Sequence, residues 1–294
     1  MVSFSIRWQD RVEVLSPDDA ETTAAVPATL EPAALAHGVG PYRIEALIGR
    51  GRIAAVYLAT NKRSGRQVSL KVLPPEWKRY PGACQEFLGS GRAMAKIRHP
   101  NIVRVHEVGE DGDLRFVAMQ YVRGSDLRAF LADAGELPPP RALEILAPAA
   151  DALDLAHTRG VVHADLKPGN VLVEGDTAHV YVTDFLAWAN FPNRFVGTIE
   201  YASPEQLMRE PPTGRSDVYS FGCLAFECLT GGAPYARTAD ADVIVAHLSE
   251  PPPRAGGLPT TVNDVLAKAM AKSPKDRYGS CGAVVAALRT ALDG

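Results

Sequence analysis

Asp165, Lys167 and Asn170 share the stretch HADLKPGN (residues 163–170), and Asp184 follows in VTDFLAW (182–188). Together these side chains form a set that suits phosphoryl transfer. Asp165 is a carboxylate that accepts a hydroxyl proton, and Lys167 is an ammonium that neutralises a phosphate in flight. Asn170 and Asp184 are hard oxygen ligands of the kind Mg²⁺ prefers. The reaction needs positioning and charge neutralisation more than covalent chemistry, and these residue types supply both.

Two further features bear on the same chemistry, and each has two readings. Lys71 lies inside the apolar run VSLKVL, where an ammonium is costly to bury without an anion; it is a phosphate ligand or an edge-strand lysine whose head reaches water. Gly49 and Gly51 open GRGRIAAVYLAT between two strand-like runs, with Ala54 in the place of a third glycine. That turn closes over phosphates or is a plain hairpin.

The elements that must position these groups follow from pattern. Runs with strand character (YRIEALIG, AAVYLAT, QVSLKVL, IVRVHEVG and LRFVAMQYV) fill Tyr42 to Val122, interrupted by one helical segment around CQEFLGSGRAMAKI. From Asp126 onward the pattern is mostly helical, and Pro148 is predicted to kink the helix that contains it by removing a backbone donor. A strand-rich lobe followed by a helical one is the α+β arrangement. Ahead of this, Val2, Phe4, Ile6 and Trp8 alternate with polar residues, so 1–15 reads as a strand or hairpin arm, and Ala/Pro-rich 16–40 as a linker. The domain is expected over 41–294, with its small lobe at 41–122 and its large lobe at 123–294.

Composition narrows the partners. A formal charge of -3 and a pI near 6.2 offer no basic stripe for nucleic acid. The four cysteines lack metal-ligand or disulfide-framework spacing. No apolar run approaches the ~20 residues of a membrane span, and the N-terminus lacks a signal-peptide plan, so a cytoplasmic location is expected.

From Tyr42 onward the chain resembles a bacterial Ser/Thr protein kinase of the eukaryotic-like type. The matching stretches come in the family's order: GRG, VSLK, HPNIV, HADLKPGN, TDF, GTIEYASPEQ, SDVYSFG and PKDRY. The resemblance implies a bilobal protein-kinase-like fold with a small β-rich N-lobe and a larger helical C-lobe, and ATP and Mg²⁺ as cofactors. It also implies an adenine site packed by Val56 and Leu172, with backbone contacts from Gln120 and Val122. Under the same resemblance Asp165, Lys167 and Thr198 are the catalytic residues, and Asn170 and Asp184 hold the metal. Glu205 is expected to pair with Arg277, and Asp217 to accept backbone N–H bonds from the catalytic loop.

Four positions depart from the family pattern: Ala54, Ser90, Ala164 and Leu186. Ser90 stands where a helix-C glutamate would pair with Lys71, flanked by Gly89 and Gly91, each costing ~1 kcal/mol in a helix interior relative to alanine. This helix is therefore predicted to be broken, shortened or swung outward. Lys71 is predicted to turn to Asp184, with Glu86 the competing partner. Ala164 replaces an arginine that commonly receives an activation-loop phosphate, and 187–196 contains no Ser, Thr or Tyr. Packing by Trp188, Phe191 and Phe195 is expected to hold that segment instead. Leu186, in place of glycine, is expected to restrict flipping of the motif that begins at Asp184.

The functional expectation is thus an ATP- and Mg²⁺-dependent Ser/Thr kinase that acts on a protein substrate without activation-loop phosphorylation. The alternative is a pseudokinase that binds nucleotide weakly or not at all and scaffolds or regulates a protein partner. In either case the N-terminal arm is expected to dock on the small lobe, a partner or a second copy.

Overall fold

The computed structural model of the chain describes residues 30, 35, 37–51, 53–175, 178–185 and 197–293. The arm at 1–15, Leu186 and the aromatic residues Trp188, Phe191 and Phe195 lie outside these residues.

Period-two alternation builds the small lobe. Strands β1 (Tyr42–Arg50), β2 (Ala55–Asn61), β3 (Gln67–Leu73), β4 (Val105–Asp111) and β5 (Leu114–Gln120) form one antiparallel sheet in the order β1-β2-β3-β5-β4. Tyr57, Leu70, Val72, Phe116 and Ala118 are buried together on its outer face. Their neighbours in sequence, Val56, Lys71, Val117 and Met119, therefore point the other way, into the molecule. The alternation that buries Leu70 and Val72 thus aims Lys71 inward, toward Asp184.

The outer face is not bare. Leu35 and Val39, inside the stretch that reads as linker, are buried against it and Leu30 packs beside them. The Tyr57 hydroxyl donates to the Leu30 carbonyl, and the Val39 and Tyr42 backbones exchange hydrogen bonds at 3.0 Å. Ala/Pro-rich composition hides this contact because only a few large apolar side chains carry it.

The inner face carries helix α1 (Pro81–Ala95), and here the structure corrects the sequence reading. The helix is continuous across Gly89-Ser90-Gly91 rather than broken or shortened. Its apolar stripe explains why: Phe87, Leu88 and Met94 are all buried, each worth about 1.5–3 kcal/mol, against ~1 kcal/mol per glycine. Gly91 also has a packing role. A β-carbon there would stand 2.9 Å from methyls of both Val108 and Val117, so its absence lets the helix approach the sheet closely. Ser90 turns back on its own helix, donating to the Glu86 carbonyl at 2.7 Å.

The chain crosses to the large lobe through the short strand β6 (Gly124–Asp126), which pairs with β7 (Val171–Glu174) and so with β8 (Val180–Val182). Helices α2 (Leu127–Ala134), α3 (Pro139–Thr158), α4 (Pro204–Leu207), α5 (Gly214–Thr230), α6 (Asp240–Ser249), α7 (Thr260–Ala269) and α8 (Cys281–Asp293) complete this lobe. Pro148 lies inside α3 and does not end it. One apolar core runs from Leu73 and α1 through Ile102 and Val103 to α3, α5, α7 and α8. Both lobes thus share a continuous interior, which holds the cleft between them in register. Among the described residues no helix is long and apolar enough to cross a membrane.

The two glycines of α1 should respond oppositely to the same change. Gly89 has open space around its missing side chain, so Gly89→Ala is expected to stabilise the fold by about 0.5–1 kcal/mol. Gly91→Ala should cost about 1–2 kcal/mol through overpacking. Urea denaturation of both variants checks the pair; two changes of the same sign would contradict the packing role of Gly91.

Candidate active site

One row of residues crosses the small lobe and lines up the upper half of the site. Gly49 pairs with Val56, Val56 with Lys71, and Lys71 with Val117. The glycine turn, the expected adenine wall and the lysine are therefore neighbours across successive strands. The Gly51 amide donates to the Ala54 carbonyl at 2.9 Å, and a β-carbon on Gly51 would meet that oxygen at 2.8 Å. Gly51 is required by this tight closure, whereas Gly49 has ordinary room. At the other end of the sheet the Gln120 amide is spent on the Arg104 carbonyl, while the Val122 amide makes no hydrogen bond among the described residues.

The lower half is the loop between α3 and β7. Thr198, after a long detour in sequence, donates to Asp165 Oδ1 at 2.8 Å and accepts from Lys167 Nζ at 2.7 Å. Lys167 Nζ also stands 3.0 Å from Asp165 Oδ2. Asn170 donates to the Asp165 backbone carbonyl at 2.8 Å and to Oδ2 at 3.3 Å. The structure thus brings together Asp165, Lys167, Thr198 and Asn170, with the carboxylate oriented from both sides. Leu172 follows on β7, half-buried.

Asp184 joins this group through the backbone. The Thr183 amide donates to the Asn170 carbonyl at 3.0 Å, setting Asp184 beside the loop with its backbone in the left-handed region (φ 60°). Its carboxylate Oδ1 lies 3.1 Å from Lys71 Nζ. Burial pushes the Asp184 carboxyl up, but Lys71, helped by His163 and Lys167, pulls it further down, so it sits below the usual carboxylate range. The expected Lys71–Asp184 pair therefore forms. Glu86 does not replace it: its carboxyl is raised by burial, and no cation among the described residues offsets that. Behind Lys71 a cavity of about 50 Å³ is lined by Phe87, Ser90, Gly91, Val117, Met119 and Phe185 among others. It lies where the side chain of Ser90 turns away into its own helix.

The loop itself is held from beneath. Asp217, in the first turn of α5, is fully buried. It accepts from the His163 amide at 2.7 Å, the Ala164 amide at 2.8 Å and His157 Nε2 at 2.6 Å. Gln206 donates to the Ala164 carbonyl at 2.7 Å. Ala164 is thereby fixed at φ 63°, a conformation costing an L-residue roughly 1–2 kcal/mol. His163 is fully buried, and burial lowers its imidazole pKa against the pull of Asp217 and Asp165. Its Nδ1 accepts from the Asp165 amide at 3.2 Å, so Nε2 carries the proton donated to the Thr183 carbonyl at 2.9 Å.

Further down, Arg277 donates to both oxygens of Glu205 at 2.7 and 2.8 Å. Burial raises the Glu205 carboxyl, and Arg277 together with Ser216 outweighs it, leaving the group lowered. Gln206 and His157 are supports that sequence reasoning missed. Gln206 carries a signal, since Ser203-Pro204-Glu205-Gln206 spells a capping box, and that box forms. His157, in the last turn of α3, carries no such signal.

The residues present fit a magnesium nucleotide. Among the described residues the Val122 amide has no acceptor, and Asn170 spends its amide nitrogen on Asp165 while its oxygen has no donor. Asp184 uses one oxygen on Lys71 and keeps the other. One backbone donor at the sheet end and two hard oxygens below it suit an adenine edge and a hard cation that retains water and phosphate ligands.

Comparisons with known proteins agree with this geometry. Residues 42–287 match the protein kinase domain. The chain is similar to the serine/threonine-protein kinase PknE of Mycobacterium tuberculosis, 37% identical over 86% of this chain and 46% of the relative. It is similar also to the serine/threonine-protein kinase PknH of the same organism, 35% identical over 86% of this chain and 42% of that relative. The chain thus spans less than half the length of these curated relatives. The crystal structure of the PknI kinase domain of M. tuberculosis superposes with a TM-score of 0.72 at 28% identity, covering 87% of this chain and 97% of that one.

Because Glu86 meets no cation among the described residues, Glu86→Gln should leave the melting temperature at pH 7 unchanged or higher, and nucleotide affinity intact. Ser90→Glu, with the cavity and Lys71 before it, should tighten Mg-ATP binding. Thermal melts with and without Mg-ATP check both; a loss of binding in Glu86→Gln would show that Glu86 serves Lys71 after all.

Proposed function

This chain belongs to the protein kinase domain family, within the bacterial eukaryotic-like Ser/Thr group, and from that premise we propose that it is an ATP- and Mg²⁺-dependent Ser/Thr protein kinase working without activation-loop phosphorylation. The observation that carries the reading is the closed set Asp165–Thr198–Lys167, tied to Asn170 and resting on Asp217.

Each residue then has a task. Gly49 and Gly51 let the β1–β2 turn approach the phosphates. Val56 and Leu172 pack the adenine, while the backbone of Gln120 and Val122 reads its edge. Lys71 exchanges Asp184 for the nucleotide phosphates, and Asn170 and Asp184 hold Mg²⁺. Bound Mg-ATP supplies the phosphoryl group and spreads its charge. Asp165 accepts the proton of the substrate Ser or Thr hydroxyl, oriented by Thr198, and Lys167 neutralises the equatorial charge that builds during transfer.

The absence of an arginine at 164 fits independence from loop phosphorylation, because Asp217 and Gln206 already hold the loop through backbone groups. Such a support needs no phosphate to complete it.

One observation favours the pseudokinase reading. Lys71 has no carboxylate from α1, and Ser90 is spent within its helix. Under that reading Lys71 stays with Asp184, nucleotide binds weakly or not at all, and the protein acts as a scaffold or regulator.

The two readings separate in one experiment. Saturating Mg-ATP should stabilise the wild type by about 2.7 kcal/mol at a hundredfold excess over its dissociation constant. Asp165→Asn should bind equally well yet lose phosphate transfer to a generic protein substrate by at least ~100-fold. Equal radiolabel incorporation by wild type and variant would decide for the scaffold.

A further inference from the structure

Arg128 is held beside the transfer site by two short elements. β6 pairs Asp126 with Leu172 of β7, and Asp126 then caps α2 by accepting from the Ala129 amide at 2.8 Å. Leu127, fully buried, pins the first turn. The guanidinium of Arg128 consequently lies against Gly169, between Lys167 and Asn170. A β-carbon on Gly169 would stand 3.5, 3.8 and 3.9 Å from Nη2, Cζ and Nε. Three near-equal distances from one point place the flat of the planar group, rather than a single nitrogen, toward the loop.

The charge of Arg128 is unspent. The residue is exposed and forms no hydrogen bond or ion pair among the described residues. The acidic group it senses is already occupied and turned inward: Glu227, half-buried on α5, accepts from the Tyr201 hydroxyl at 2.6 Å. Burial raises both of those groups, and the charge of Arg128 opposes that rise without a hydrogen bond to either. Tyr201 lies three residues beyond Thr198, so the whole cluster borders the place where a substrate hydroxyl would meet Asp165. A polypeptide that reaches Asp165 along this side therefore passes an exposed guanidinium that no carboxylate among the described residues pairs.

We propose that Arg128 is a specificity-determining residue that pairs with an acidic side chain of the protein substrate near the acceptor Ser or Thr. The inference rests on the kinase reading above. A guanidinium presents parallel N–H donors that match a carboxylate, and a group mounted on the loop loses little freedom in pairing.

The test uses fluorescent serine peptides in which one Asp, Ala or Lys is walked through the positions on either side of the acceptor. Both kcat/KM for transfer and the dissociation constant by anisotropy are read for wild type, Arg128→Ala and Arg128→Glu, with melting curves confirming that each variant is folded. Wild type should favour Asp over Ala by about 5- to 20-fold at one or two positions, chiefly through KM and the dissociation constant. That ratio should fall to about one in Arg128→Ala and turn to favour Lys in Arg128→Glu. Should no phosphate be transferred, the kinase reading fails while the binding ratios still report on Arg128. An Asp preference unchanged in Arg128→Ala, or no Asp preference at any position, overturns the proposal.

Discussion

Asp217 accepts three hydrogen bonds in a fully buried position, from the amides of His163 and Ala164 and from the His157 ring. Its place in the first turn of α5 adds the favourable field of the helix N-terminus to those bonds. The carboxylate holds the backbone before Asp165 in a left-handed bend that alanine would not adopt unaided. From that bend follow the direction of the Asp165 side chain, the reach of Lys167 to Thr198, and the return of Asn170 onto the loop. Strain of this kind persists only where surrounding contacts over-determine it. Here Gln206 holds the carbonyl side of Ala164 while Asp217 holds its amide.

The upper lobe follows a different logic. Its groups are set by sheet register, which carries Gly49, Val56 and Lys71 across adjacent strands, and by apolar packing of α1 beneath. Packing and charge have come apart in that helix. Buried Phe87, Leu88 and Met94 keep it whole and close to the sheet, yet no residue of it answers Lys71. Lys71 is satisfied from the lower lobe instead, by a carboxylate that a metal would also need. Under the proposed function the two lobes divide the work: the lower one would hold the transfer chemistry, and the upper one would tune how readily nucleotide is taken up.

Much of this was legible in the chain because the relevant signals are local. The alternation in QVSLKVL orients Lys71, the spacing in HADLKPGN gathers Asp165, Lys167 and Asn170, and the turn to helical periodicity after Asp126 marks the second lobe. What sequence obscured depends on contacts distant in the chain. The continuity of α1 was hidden because glycine propensity is local, whereas the closeness of Val108 and Val117 to Gly91 is not. Burial of Leu35 and Val39 was masked by the Ala/Pro-rich composition around them. Arg128 offers no motif at all; only the pairing of β6 with β7 sets it over Gly169.

The central claim is that Asp217, through the backbone amides of His163 and Ala164, keeps the transfer site assembled without an arginine at position 164. The most direct measurement is the turnover number of Asp217→Asn beside wild type, at saturating Mg-ATP and a temperature where both are folded. Asparagine keeps the shape but presents an amide nitrogen to one of the backbone donors, so kcat should fall by roughly 10- to 100-fold with nucleotide affinity little changed. A variant that turns over as fast as wild type would contradict the account.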